Sequence, residues 1–144
     1  MPKSTTTNNN ILKLIFNATN WANVADNAAS SPLTNLHLSL HTADPGVGGS
    51  QTTNETAYTN YTRVAVVRTT SGWTAATTSS TQNVALAQFP QCGATGSTVT
   101  HVAIGTASSG AGTILYSGAL NSSLAVANLI QPQFSAGALT VTEA

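Results

Sequence analysis

Charge is what this sequence has least of. Four Lys/Arg and four Asp/Glu in 144 residues give a formal net charge of zero, and charged residues make up 6% of the chain. Nucleic-acid binding needs clustered cations to meet phosphate. Lys3, Lys13, Arg63 and Arg68 are all the cations present, so nucleic acid is excluded as a partner. A membrane surface is excluded for the same reason. Cysteine is almost absent too. Cys92 stands alone, so the chain has no internal disulfide and no thiolate metal cluster; it reads as a small, semi-buried residue. Long apolar runs are also missing. Nothing approaches the roughly 18 residues of a membrane span. The stretch I-L-K-L-I-F is interrupted by Lys13 and separated from the amino terminus by a Thr/Asn tract, so it is not read as a cleaved signal.

Ser, Thr and Asn fill the gap, supplying more than a third of the residues. A free protein normally relies on surface charge for solubility. A neutral surface of hydroxyls and amides instead suits a chain docked in an assembly, or a secreted or particle-borne one. The length suits one packed core.

Residues 1–9 read as a polar, flexible arm without core residues. Residues 10–26 are the one credible helix. Ile11, Leu14, Ile15, Ala18, Ala22 and Ala25 recur at helical spacing, and Leu12, Phe16 and Trp21 widen that face. Asn8, Asn9 and Asn10 are candidate caps. The asparagines at 17, 20, 23 and 27 are poor helix formers, so this helix depends on packing. After Pro32 the pattern becomes strands and turns. Leu36, Leu38 and Leu40 alternate with His37, Ser39 and His41, as in a half-buried strand. Further strands are expected at 58–68, 83–89, 98–105, 113–120, around 124–134 and at 138–143, with G-W-T-A-A-T-T following a turn at Ser71-Gly72. About eight short strands with regular turn signals predict an all-β fold, a jelly-roll-like sandwich with an N-terminal arm and one short helix. The expected division is 1–34, arm and helix, and 35–144, β-sandwich. The long stretch 43–57, opened by Asp44-Pro45-Gly46, is a functional or interfacial loop.

Chemistry-bearing residues are few. His37 and His41 lie on one face of a strand, about 13 Å apart, too far to share a zinc ion that needs ligands at about 2 Å. No G-x-S-x-G elbow and no phosphate loop occurs. Two of Asp26, Asp44, Glu55 and Glu143 would have to converge for a paired-carboxylate hydrolase, and nothing points to that. Neither metal nor cofactor is implied. Arg63 and Arg68 lie five apart, on opposite faces of a strand, and Tyr61 shares Arg63's parity. One arginine is expected to be partly buried and to need a carboxylate, with Glu55 and Asp44 nearest. His41, Asp44, Pro45, Glu55, Arg63 and Arg68 are therefore the residues expected to pin the long loop, including a His41–Asp44 hydrogen bond. Ile11, Phe16, Trp21 and Trp73 are candidate interface anchors, with carbohydrate stacking a second role for the tryptophans.

The runs L-H-L-S-L-H-T-A-D-P-G, Q-T-T-N-E-T-A-Y-T-N-Y-T-R-V-A-V-V-R, G-W and T-H-V-A-I-G-T-A-S-S-G-A-G-T-I-L-Y-S-G-A-L resemble a family of small virion proteins of tailed bacteriophages, described as tail-fibre-like or head-decoration proteins. The resemblance spans about residues 10–142. It implies a structural protein with no catalytic residues. The expectation is a capsid cement or decoration protein on the outer capsid surface, bridging major capsid proteins and neighbouring copies of itself as a homo-oligomer. The alternative is a tail-associated or receptor-binding protein of the tail-fibre kind.

Overall fold

The computed structural model describes residues 3–21, 24–25 and 32–144. Among the described residues one helix, α1 (Thr5–Phe16), precedes eight strands: β1 (Asn35–His41), β2 (Val64–Val67), β3 (Ser80–Gln82), β4 (Ala87–Gln88), β5 (Ser97–Gly105), β6 (Ile114–Val126), β7 (Gln133–Phe134) and β8 (Thr140–Thr142). The class is all-β with one short helix. The strands form a four-stranded sheet in the order β2-β1-β5-β6 and two ribbons, β3-β8 and β4-β7.

The chain divides into two compact units. One comprises Met1–Asn35, Val66–Ala87 and Phe134–Ala144; the other comprises Leu36–Ala65 and Gln88–Gln133. Residues 66–87 and 134–144 return to the unit that holds the helix.

In that first unit the helix starts earlier than the sequence suggested. Ser4 is its cap, with its hydroxyl accepting from the Thr7 amide at 3.2 Å. This satisfies one of the orphan amides of the first turn. The expected caps Asn8, Asn9 and Asn10 lie inside the helix instead. The expected arm therefore carries a core residue, since Asn8, Leu12 and Phe16 form the buried stripe at four-residue spacing. The helix ends at Asn17, followed by Ala18 at positive φ. Continuation to 26 does not occur over the described part; Ala22, Asn23 and residues 26–31 lie outside the described residues. Phe16 and Trp73 are both fully buried and meet edge to face, with ring centroids 4.7 Å apart. Side chains consumed by the chain's own core are not available to a neighbour, which corrects their reading as interface anchors. The same burial removes Trp73 as a sugar-stacking surface. Ile11 and Trp21 are half-buried.

In the second unit, β1 and β5 run antiparallel, from His37 opposite Gly105 to His41 opposite His101. Leu36, Leu38 and Leu40 are buried as expected, but so are Ser39 and His41. The strand is covered on both faces at its end, so its alternation of apolar and polar residues does not make it half-exposed. β6 pairs with β5 through two register irregularities. The expected strand at 58–68 shrinks to Val64–Val67 and that at 83–89 to Ala87–Gln88. Ser80–Gln82 forms a strand the sequence pattern did not signal.

Candidate functional site: a clamped loop beside an open strand

The long loop leaves β1 at Thr42 and is held by its own polar groups. The Asp44 carboxylate accepts from the Gly46 amide at 2.9 Å, closing the Asp-Pro-Gly turn as an Asx-turn. Gly46 has φ of 72°, a conformation glycine adopts without steric cost. Pro45 is buried beneath this turn. Asn54 donates to the Asp44 carbonyl at 3.0 Å.

His41 does not bond Asp44. Its Nε2 lies 2.9 Å from Ser39 Oγ and its Nδ1 2.8 Å from the Thr53 carbonyl oxygen. It therefore fixes the returning limb of the loop. Burial pushes its pKa below the ordinary imidazole value, opposed in part by the Thr53 carbonyl and the Glu55 charge. Burial lowers His37 as well, with Arg63 adding to the effect. Among the described residues no three His, Cys, Asp or Glu side chains converge as a metal site would require.

Arg63 closes the base of the loop. Its Nε and Nη2 donate to Glu55 Oε1 and Oε2 at 2.7 and 2.8 Å, a bidentate pair. Its remaining hydrogens reach the carbonyl oxygens of Ala107 at 2.9 Å and Gly110 at 2.7 Å. One guanidinium thus ties two loops together, 43–57 and 106–112. The hydrogen bond with Glu55 holds the arginine above its ordinary pKa. Tyr61 completes the cluster: its hydroxyl donates to Glu55 Oε1 at 2.9 Å and accepts from the Leu40 amide at 3.0 Å. Burial raises the Tyr61 pKa.

Gln51 does the same work without charge. It is fully buried, donates to the His37 carbonyl at 3.2 Å and accepts from the Ala107 amide at 2.9 Å. Any side chain at Gly105 or Gly112 would overlap it. No local pattern in the sequence signals Gln51, whereas shared parity with Arg63 marks Tyr61.

Arg68 belongs to the first unit and departs from expectation. Instead of a carboxylate it takes three carbonyl oxygens, those of Leu14 at 2.8 Å, Ile15 at 2.7 Å and Leu33 at 2.7 Å. Two of these are carbonyls near the C-terminal end of α1, which have no intrahelical partner and carry the negative end of the dipole. Burial lowers the pKa of Arg68.

Beside the clamped loop lies a groove of about 550 Å³, bounded by Asp44, Gly46, Val47, His101 and the start of β6. Val47 projects fully into solvent. In the groove the His101 Nδ1 lies 2.8 Å from the hydroxyl of the neighbouring Thr100. Two loops are locked by one arginine and one glutamine, next to a largely exposed strand.

A family model described as Podophage GP4 fiber I protein gp80 matches residues 2–142. No curated protein matches the chain.

Proposed function

The chain belongs to the Podophage GP4 fiber I protein gp80 family, and from that premise we propose that it is a structural component of the fibre apparatus associated with the phage tail. That it is a structural protein of a phage virion follows from the family itself. The fibre assignment is the finer step, and the match over residues 2–142 to a fibre description is the observation that carries it. The capsid-cement reading yields first place, because the family description names a fibre and not a capsid protein.

The geometry suits a load-bearing module better than a receptor-binding tip. Most of the large aromatic rings are turned inward: Trp73, Tyr58, Phe89 and Phe16 are all buried, and Trp21 is half-buried. What faces outward combines hydroxyls and amides with exposed apolar side chains such as Val47, Leu86 and Leu129. Partners of such a surface are held by shape, apolar contact and backbone hydrogen bonds. The partners we propose are neighbouring virion proteins and further copies of the chain. Repeated weak contacts along a particle add up through high effective concentration. With few charges involved, attachment depends weakly on salt.

The test is stoichiometry and position in purified virions. Quantitative mass spectrometry should give a copy number comparable to that of the tail proteins. Antibody labelling in the electron microscope should mark the tail region. A copy number matching the major capsid protein, with label over the head, would sink the fibre reading and restore the cement one.

A further inference from the structure

We infer that residues 3–10 are a latch with Ser79 as its catch: they close as one unit over the hairpin turn at 77–80 and release together as an arm. The inference goes beyond the fibre reading and rests on contacts within the first unit.

The turn supplies the first observation. Thr77 and Ser80 exchange both backbone hydrogen bonds, at 3.3 and 3.1 Å, across the two central residues Thr78 and Ser79. Both central residues have positive φ, 52° and 60°. Turns of that kind are normally built from Asn-Gly or Asp-Gly, and a β-branched threonine at positive φ is an outlier. Residues in such sparsely populated backbone regions persist only where the surroundings over-determine them.

Ser79 shows what does so. Its amide donates to Asn9 Oδ1 at 2.7 Å, and its hydroxyl accepts from Asn8 Nδ2 at 3.2 Å. Its carbonyl accepts from the Glu143 amide at 2.9 Å. Lys3 in turn pairs with the Glu143 carboxylate. Amide, hydroxyl and carbonyl of one serine are thus each held from outside the turn, two by the start of α1 and one by the residue that follows β8.

The start of α1 needs these contacts as much as the turn does. Its first half reads T-T-T-N-N-N. These residue types are weak helix formers, because their side chains compete for backbone bonds. A helix of 12 residues is marginal on its own. The second half is anchored differently. Leu12 and Phe16 are buried, Phe16 packs on Trp73, and Arg68 holds the Leu14 and Ile15 carbonyls. In the first half the one buried residue is Asn8, and its Oδ1 has no hydrogen-bond partner among the described residues. Release passes that oxygen to water. Apolar burial and a guanidinium therefore hold 11–17 in place, while one serine holds 3–10. Released, these eight residues extend over about 26 Å, a polar arm whose only charge is that of Lys3.

Native-state hydrogen exchange followed by NMR tests this on the intact chain. The amides of Asn8, Asn9, Asn10, Ser79 and Glu143 should share one protection factor, lower than those of Phe16 and Asn83. Asn9→Ala removes one side-chain acceptor and should lower protection about fivefold at Asn8, Asn10, Ser79 and Glu143 alike, with Phe16 and Asn83 unchanged. Protection that climbs residue by residue along α1, with Glu143 at a value of its own, is ordinary fraying of a helix end and would overturn the inference. An Asn9→Ala effect confined to Ser79 would overturn it too, as would wild-type latch amides protected as strongly as Phe16. None of these results touches the location of the protein in the virion, which copy number decides separately.

Discussion

Replacing Arg63 by methionine keeps the aliphatic bulk and removes the guanidinium. The Arg63 side chain is 3% exposed and that of Glu55 15%, so the pair is shielded from water and salt. Removing one partner of a buried pair costs about 3–5 kcal/mol, because the other charge is left uncompensated. Two features set where in that range the cost falls. Glu55 keeps the Tyr61 hydroxyl and some solvent contact, which lowers it. The carbonyls of Ala107 and Gly110 lose a charged donor, which raises it. A loss of about 3 kcal/mol is expected. For a chain of this size each kcal/mol moves the melting midpoint by roughly 3–4 °C, so circular dichroism should record a fall of roughly 10 °C. The double variant Arg63→Met with Glu55→Met should recover most of it, since an apolar pair of similar volume carries no stranded charge. A loss below about 1 kcal/mol, as for a surface pair, would refute the clamp. So would a double variant that loses the sum of the two singles, because coupled partners cannot be additive.

Two further outcomes follow from the same contacts. Arg68→Lys should destabilise by about 2 kcal/mol, nearly as much as Arg68→Met, because one ammonium cannot serve three carbonyls that a planar fork reaches together; chemical denaturation checks this, and a neutral lysine variant would show the fork to be dispensable. Acidification should weaken the fold through His37 and His41, whose pKa values are both lowered on folding, chiefly by burial. Below the unfolded value of about 6.5 the unfolded chain takes up protons that the folded chain refuses. Stability should therefore be level above that pH and decline as pH falls toward the lowered folded values. Denaturation midpoints measured from pH 8 to pH 5 should show this decline, and His41→Asn should flatten it; an unchanged slope in that variant would assign the effect elsewhere.

The legible parts of this fold are those where a local pattern and the tertiary environment agree. β5 reads correctly from T-V-T-H-V-A-I-G because its β-branched residues and the following turn both favour extension. The Glu55–Arg63 pair was legible because a chain with four acids offers an arginine few choices. The helix was misplaced because periodicity weighed more heavily than capping. Ile11, Leu14 and Ile15 suggested a stripe, but Ser4 starts the first turn and sets Asn8, Leu12 and Phe16 inward. Burial of an asparagine at a stripe position cannot be read from hydropathy. Gln51 and His41 were illegible for a related reason. Both are polar residues buried because backbone groups from distant segments satisfy them, and only the folded chain brings those groups together. The His41–Asp44 bond failed because each residue found a nearer backbone partner.

These failures share a cause that bears on function. In a chain with so few charges, polar order is kept by carbonyls and amides. Arg68 takes three backbone oxygens and no carboxylate, and Gln51 does for one pair of segments what Arg63 does for another. Both arginines are thereby engaged inside the molecule, which leaves the outer surface close to neutral. Long-range electrostatic steering toward a partner is then weak, which leaves shape and apolar contact to hold the neighbours proposed above. Contacts of that sort are screened far less by salt than charge pairs at the surface.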